Sequence, residues 1–196
     1  MRVHFLLPGL ALLAAIWLAP LESMMPVFAA HMLRHMVLVA IAAPLIVLGL
    51  PQLTDRLAIP PLAAAAVEFI VVWGWHLPAA HGLGRTVPIG FVAEQASFLA
   101  VGLLVWAGCL RRDRPLAGAG GLLLTSMHMT LLGALLVLAP RDLYAAICGT
   151  APDIDGQRIG GMLMLAIGTP VYLLAGLALT GLGLRERGAE FAVNVA

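Results

Sequence analysis

Six apolar runs, each near the length of a bilayer crossing, constrain this chain more than any other feature. They cover roughly 3–20, 27–50, 57–78, 87–110, 116–139 and 158–184, and a helix needs about 20 such residues to traverse the hydrocarbon layer. With 62% hydrophobic residues, 11% charged ones and a mean hydropathy of +1.01, the composition is that of a polytopic membrane protein. No polar stretch is long enough for a soluble domain. Residues 1–196 therefore read as one membrane-embedded, all-α transmembrane helix bundle of about six spans. Pro44, Pro60, Pro61 and Pro170 fall at the ends of runs or inside them, which membrane helices tolerate. Residues 1–20 form the first span or a cleavable signal peptide, and 185–196 a short frayed tail. The net charge of +1 gives no reason to expect nucleic acid as a partner; the lipid bilayer is the partner this composition demands.

All 11 basic residues are arginine, and their placement orients the chain. With the N-terminus in the cytoplasm, Arg2, Arg56, Arg111, Arg112, Arg114, Arg185 and Arg187 lie inside, whereas Arg85, Arg141 and Arg158 lie outside. Both termini are then cytoplasmic, and the chain is a multi-pass membrane protein. Cys109 and Cys148 fall on opposite faces, which argues against a disulfide between them.

The second run carries His31-Met32-Leu33-Arg34-His35-Met36. Ionisable groups at membrane depth are costly and by default mark function. His31 and His35 are four apart, so a helix places both on one face, where two imidazoles can share a metal ion. The arginine-based orientation puts His31, His35, His76, His81, Glu94, Asp153, Asp155 and Gln157 on the outer side, with His128 near the middle of the fifth run. Met24, Met25, Met32, Met36, Met127, Met129, Met162 and Met164 follow the same bias. Imidazole suits copper and zinc, and thioether selects Cu(I). The candidate metal ligands are thus His31, His35, His76 and His128, with Met32, Met36, Met127, Met129, Glu94 and Asp155 as secondary ones.

Blander readings stand beside these. The histidines could be interhelical hydrogen-bonding groups, and the methionines gap fillers. His81 reads as a solvated loop residue, Asp155 as a helix cap, and Arg34 as the partner of Glu94 or Glu68 in an ion pair. A zinc protease would need His-Glu-x-x-His, which is absent, and no nucleophile elbow, phosphate loop or catalytic residue is evident. A haem held between His35 and His128 and an ion-transport path lined by His, Glu and Arg remain open.

Several motifs in register resemble one family. They are His31-Met32-Leu33-Arg34-His35, Ala43-Pro44-Leu45, Leu48-Gly49-Leu50-Pro51, Trp75-His76-Leu77-Pro78, Glu94-Gln95-Ala96-Ser97-Phe98, Gly102-Leu103-Leu104-Val105-Trp106, His128-Met129-Thr130-Leu131-Leu132-Gly133, Ala139-Pro140-Arg141-Asp142-Leu143-Tyr144 and Asp155 through Met164. Their order and spacing over most of 25–185 are similar to the CtaG family of cytochrome c oxidase assembly factors, the polytopic caa3-type group. The resemblance implies a multi-pass protein of the bacterial inner membrane that helps mature haem-copper oxidases by handling copper, with Cu(I) as cargo. Its implied partners are oxidase subunits or a periplasmic copper chaperone, and a homodimer is open. His31, His35, His76 and His128 become the implied site, with Asp155 and Gln157 at its rim. The chain departs from the family pattern at Gln95, where a second histidine ligand is expected after the glutamate. It departs again at Gly156 in Asp155-Gly156-Gln157 and at Leu165, where tryptophan is expected.

Overall fold

In the computed structural model, which describes residues 1–57, 59–111 and 113–195, proline marks the start of most long helices. Helix α1 is Val3–Leu18, α2 Leu21–Met24, α3 Val27–Gly49, α4 Gln52–Arg56, α5 Pro61–His76 and α6 Pro78–Thr86. Then come α7 Pro88–Cys109, α8 Pro115–Leu138, α9 Ala145–Cys148 and α10, which spans Ile154–Ala189 and stays helical to Val195. Pro61, Pro78, Pro88 and Pro115 each open a helix at its first turn. There the missing N–H costs nothing and the fixed φ suits the helix. The all-α bundle expected from the apolar runs is what the chain forms.

The span count differs from six. Helices α3, α7, α8 and α10 are long and apolar enough to cross a bilayer, and α5 with α6 makes a fifth if the bent pair is one span. Helix α1 has 16 residues, about 24 Å at 1.5 Å per residue, short of a ~30 Å core. The expected outer loop at 78–87 is helix α6, turned 74° from α5 at Leu77-Pro78. Proline disfavours helical geometry in the residue before it, and Leu77 accordingly has ψ 132°. The tail expected to fray from 185 continues α10 as helix. Arg112, counted among the inner arginines, lies outside the described residues.

Helix α3 sits at the centre, packed on α1, α7 and α10, while α8 lies against α5 and α10. Small residues allow this closeness, as is usual where lipid supplies no hydrophobic drive. A Cβ on Gly102 would stand 3.1 Å from the Val39 Cα, and Gly133 and Gly161 bring α8 and α10 to backbone contact. Within α3 and α10 the backbone widens into π-helical turns at Val37–Ala42 and Met164–Gly168. The Val39 carbonyl lies 2.8 Å from the donating Trp106 Nε1 and 3.1 Å from the Tyr172 hydroxyl. The Thr169 carbonyl accepts from Ser126 Oγ at 3.2 Å. Side chains thus brace the first irregular stretch and the residue that follows the second.

The two ends of the bundle are distinct. Arg2, Asp55, Arg111 and Asp113 gather around one cavity of about 480 Å³. At the other end Glu22 holds Arg34 at 3.2 Å and Arg85 at 3.5 Å, beneath the 139–153 loop. These two groups of charged residues lie at different cavities of the bundle. Arg34 therefore pairs at the surface with Glu22, not with Glu94 or Glu68 in the core. Burial works to raise the Glu22 carboxyl, yet the two guanidinium groups hold it below its ordinary value.

Candidate metal centre

His31 and His35 leave α3 one turn apart, with ring centroids 4.3 Å apart. Glu94 reaches them from α7. Its Oε1 lies 3.1 Å from His31 Nε2 and 3.7 Å from His35 Nε2. One potential ligand atom from each residue lies within 4.8 Å of the others, and all three side chains are buried. Gln95 Nε2 stands 3.0 Å from His35 Nε2, and the His35 ring stacks on Phe98 at a centroid distance of 3.8 Å. Gln95 thus occupies the place where the family pattern expects a histidine, within reach of the same cluster.

His76, the last residue of α5, closes the next side. Its Nδ1 lies 2.7 Å from the Val72 carbonyl. A carbonyl only accepts, so Nδ1 carries the proton and the neutral ring presents a bare lone pair at Nε2. That Nε2 faces Met32 Sδ at 3.4 Å. Two electron-pair donors, one nitrogen and one sulfur, thus meet with no proton between them. The Tyr144 hydroxyl donates to the His76 carbonyl at 3.1 Å and fixes the end of α5.

The bend at Pro78 brings His81 back over the cluster. Its ring stands edge-on to His31, 5.1 Å between centroids. It is only 3% exposed, which corrects its reading as a solvated loop residue: α6 folds it inward. A charged or polar periodicity gives no warning of this; the Leu77-Pro78 pair is the signal that the chain turns there. Gly84 of α6 covers the Glu94 carboxylate so closely that an added Cβ would come within 2.8 Å of Oε2.

The remaining candidates divide. Met32 touches the cluster, whereas Met36 and Met129 are fully buried in the adjoining core, and Met127 is 68% exposed toward the surroundings. His128 packs edge-on to Phe69 and lies 3.8 Å from Glu68 Oε2. Glu68 in turn lies 2.7 Å from the Thr125 hydroxyl and 2.9 Å from that of Tyr172. His35 and His128 therefore belong to two different polar clusters, one around Glu94 and one around Glu68. Asp155 projects outward, its side chain 85% exposed beside Arg158. The helix cap assigned to it belongs to Asp153, whose Oδ1 accepts from the Gly156 N–H at 2.9 Å. Gln157 is buried, accepting from Leu143 N and donating to the Leu136 carbonyl. Cys109 and Cys148 are both free thiols.

Buried polar atoms without partners concentrate here: His31 Nδ1, His35 Nδ1, His81 Nδ1 and Gln95 Oε1 have none. Such groups ordinarily cost free energy in a low-dielectric interior. Two imidazoles and a carboxylate, with an imidazole–thioether pair alongside, form a donor set that suits a soft or borderline cation.

A comparison with family models matches residues 1–185 to the cytochrome c oxidase caa3 assembly factors, Caa3_CtaG. Neither a curated protein nor a solved structure matches the chain. The match covers every helix that builds the cluster and agrees with the motifs read from the sequence, so the chain belongs to the family of cytochrome c oxidase caa3 assembly factors.

Proposed function

We propose that this assembly factor handles copper, holding Cu(I) at His31, His35 and Glu94 on the periplasmic side and yielding it for metallation of a haem-copper oxidase. The observation that carries the proposal is the convergence of those three buried side chains, with ligand atoms within 4.8 Å of one another. Charge favours a monovalent cargo. Two neutral imidazoles and one carboxylate carry −1 in total, so Cu(I) leaves the site neutral, whereas a divalent ion leaves an uncompensated charge in a medium where that is costly.

His76 Nε2 and Met32 Sδ form the neighbouring position. Imidazole and thioether bind Cu(I) without first losing a proton, so cargo passes between the two positions by ligand exchange. No bond of an organic substrate is broken, and the protein acts as a chaperone within the membrane, not as an enzyme. Acceptors are an oxidase subunit or a periplasmic copper chaperone.

The test is metal content by mass spectrometry on protein purified in mild detergent with Cu(I) supplied. About one copper or more per chain is expected for the wild type, and loss of at least one in the His31→Ala/His35→Ala double variant. Equal copper in both proteins, or none in either, sinks the assignment.

A further inference from the structure

The cluster is sealed from lipid, so cargo needs a way in. Between α6, α9 and the 139–153 loop lies a cavity of about 260 Å³, lined by Phe28, His81, Asp142, Tyr144 and Cys148, with exposed Thr150 at its rim. We propose that this cavity is the inlet through which Cu(I) reaches His31, with His81 as the first nitrogen ligand it meets. The inference rests on the copper reading above and adds the route and the residue that controls it.

Three observations converge on it. The first is the position of His81. It lines the cavity, its centroid lies 4.3 Å from that of Tyr144 on one side and 5.1 Å from that of His31 on the other, and its Nδ1 has no partner. A histidine 97% buried with an unpaired nitrogen, standing between an open cavity and a metal-type cluster, is placed to hand a cation inward; burial follows from its 3% exposure.

The second is that the walls are held in place. Asp142 accepts from the backbone N–H groups of Tyr144, Ala145 and Asp153 at 2.8, 2.9 and 2.8 Å. Gln157 ties Leu143 N at 2.8 Å to the Leu136 carbonyl at 3.1 Å. A cavity fixed by its own loop is preformed, and binding there orders little.

The third is chemistry. Asp142 and Asp153 line the cavity with two negative charges against one positive charge, that of Arg85, which also lines it and is engaged by Glu22 at 3.5 Å. Phe28 and Tyr144 stack at 5.0 Å and line the floor with aromatic surface. A weakly hydrated monovalent cation sheds water into such a lining more readily than a strongly hydrated divalent one. Cys148 sits half-buried in the wall, where a covalent adduct on its sulfur fills the cavity.

That adduct supplies the test, on full-length protein in detergent. N-ethylmaleimide reaches Cys148 but not Cys109, which is 0% exposed. Cu(I) is presented on a colorimetric chelator and uptake is followed in time. The alkylated protein is expected to load at least tenfold more slowly, while protein loaded before alkylation keeps its copper. The loading rate of Cys148→Ala is expected to be indifferent to the reagent. His81→Phe, which keeps the ring and removes both nitrogens, is expected to load slowly yet reach one copper per chain. Wild-type loading rates in both the alkylated protein and His81→Phe overturn the inlet alone. Untreated protein that takes up no copper overturns the metal centre and the inlet together.

Discussion

His31 Nε2 and Glu94 Oε1 stand 3.1 Å apart with both side chains at 0% exposure, on two helices that meet inside the bundle. A buried carboxylate costs several kcal/mol unless opposite charge or hydrogen bonds compensate it. His31 supplies a hydrogen bond, but its other nitrogen is left without a partner. The pair is therefore a poor structural device and a good ligand pair. Replacing Glu94 with Gln keeps the shape and one acceptor oxygen while removing the charge. Cu(I) affinity is expected to fall at least tenfold, about 1.4 kcal/mol, in competition against a colorimetric chelator, with the fold retained. Unchanged affinity would remove the carboxylate from the ligand set.

Gly84 offers a subtler perturbation of the same group. Its missing side chain leaves room for the Glu94 carboxylate, and an added Cβ would lie 2.8 Å from Oε2 and 3.0 Å from Cδ. What it meets is the free end of a flexible side chain, so the helix itself need not move. Gly84→Ala is expected to change thermal stability by less than about 1 kcal/mol, since helical alanine is intrinsically favoured over glycine. Cu(I) affinity is expected to drop severalfold, because the carboxylate is displaced from the two imidazoles. A large loss of melting temperature with normal affinity would reverse this account.

How far the sequence could be read depends on the kind of signal. The apolar runs that become α3, α7 and α8 are legible because bilayer thickness imposes a length, and helix is the only way to satisfy a backbone in lipid. His31 and His35 are legible because four-residue spacing on a helix is a local fact. The partner Glu94 is legible as an unusual charge, and its distance to His31 is not, since that depends on how α7 rotates against α3 around Gly102. His81 was hidden behind a tertiary event, the 74° turn at Pro78. Arg34 misled for a related reason: a long side chain near a helix end reaches the surface, and there it finds Glu22.

The Asp142 loop carries a pH dependence whose sign follows from its contacts. Burial works to raise the Asp142 carboxyl, but the N–H groups of Asp153, Tyr144 and Ala145 outweigh it and hold it below the ordinary aspartate value. A depressed folded value means that the carboxylate stabilises the loop above the unfolded pKa of about 3.9, and that this support is lost as the pH falls through the lower folded value. Because the side chain is only half-buried, solvent screening keeps the loss small and local to the loop. Labelling of Cys148 by a pyridyl disulfide, scaled to a free thiol at each pH, is expected to stay flat from about pH 7 to 5 and to rise below about pH 4. Asp142→Asn is expected to label faster throughout and to lose the acid rise. A flat wild-type profile down to the acid limit would disconnect the carboxylate from the loop.

The Val39 carbonyl provides a test of how the irregular helix beneath the metal centre is held. Trp106 Nε1 donates to it at 2.8 Å, and the Tyr172 hydroxyl lies 3.1 Å away while also within 2.9 Å of Glu68 Oε1. One hydroxyl hydrogen serves one acceptor at a time, so Trp106 is the constant donor and Tyr172 the shared one. Trp106→Phe leaves Val39 a partner only by drawing Tyr172 from Glu68. Tyr172→Phe leaves Val39 satisfied by Trp106. Each single change is expected to cost about 1–2 kcal/mol, and the double change more than their sum by about 1 kcal/mol, because only it orphans a buried carbonyl. Detergent thermal denaturation of the four proteins in that cycle measures the coupling. Strict additivity would mean that the π-helical turn at Val37–Ala42 holds its shape without those two side chains. The irregular backbone below His35 would then owe its stability to the packing of α3 against α1 and α7.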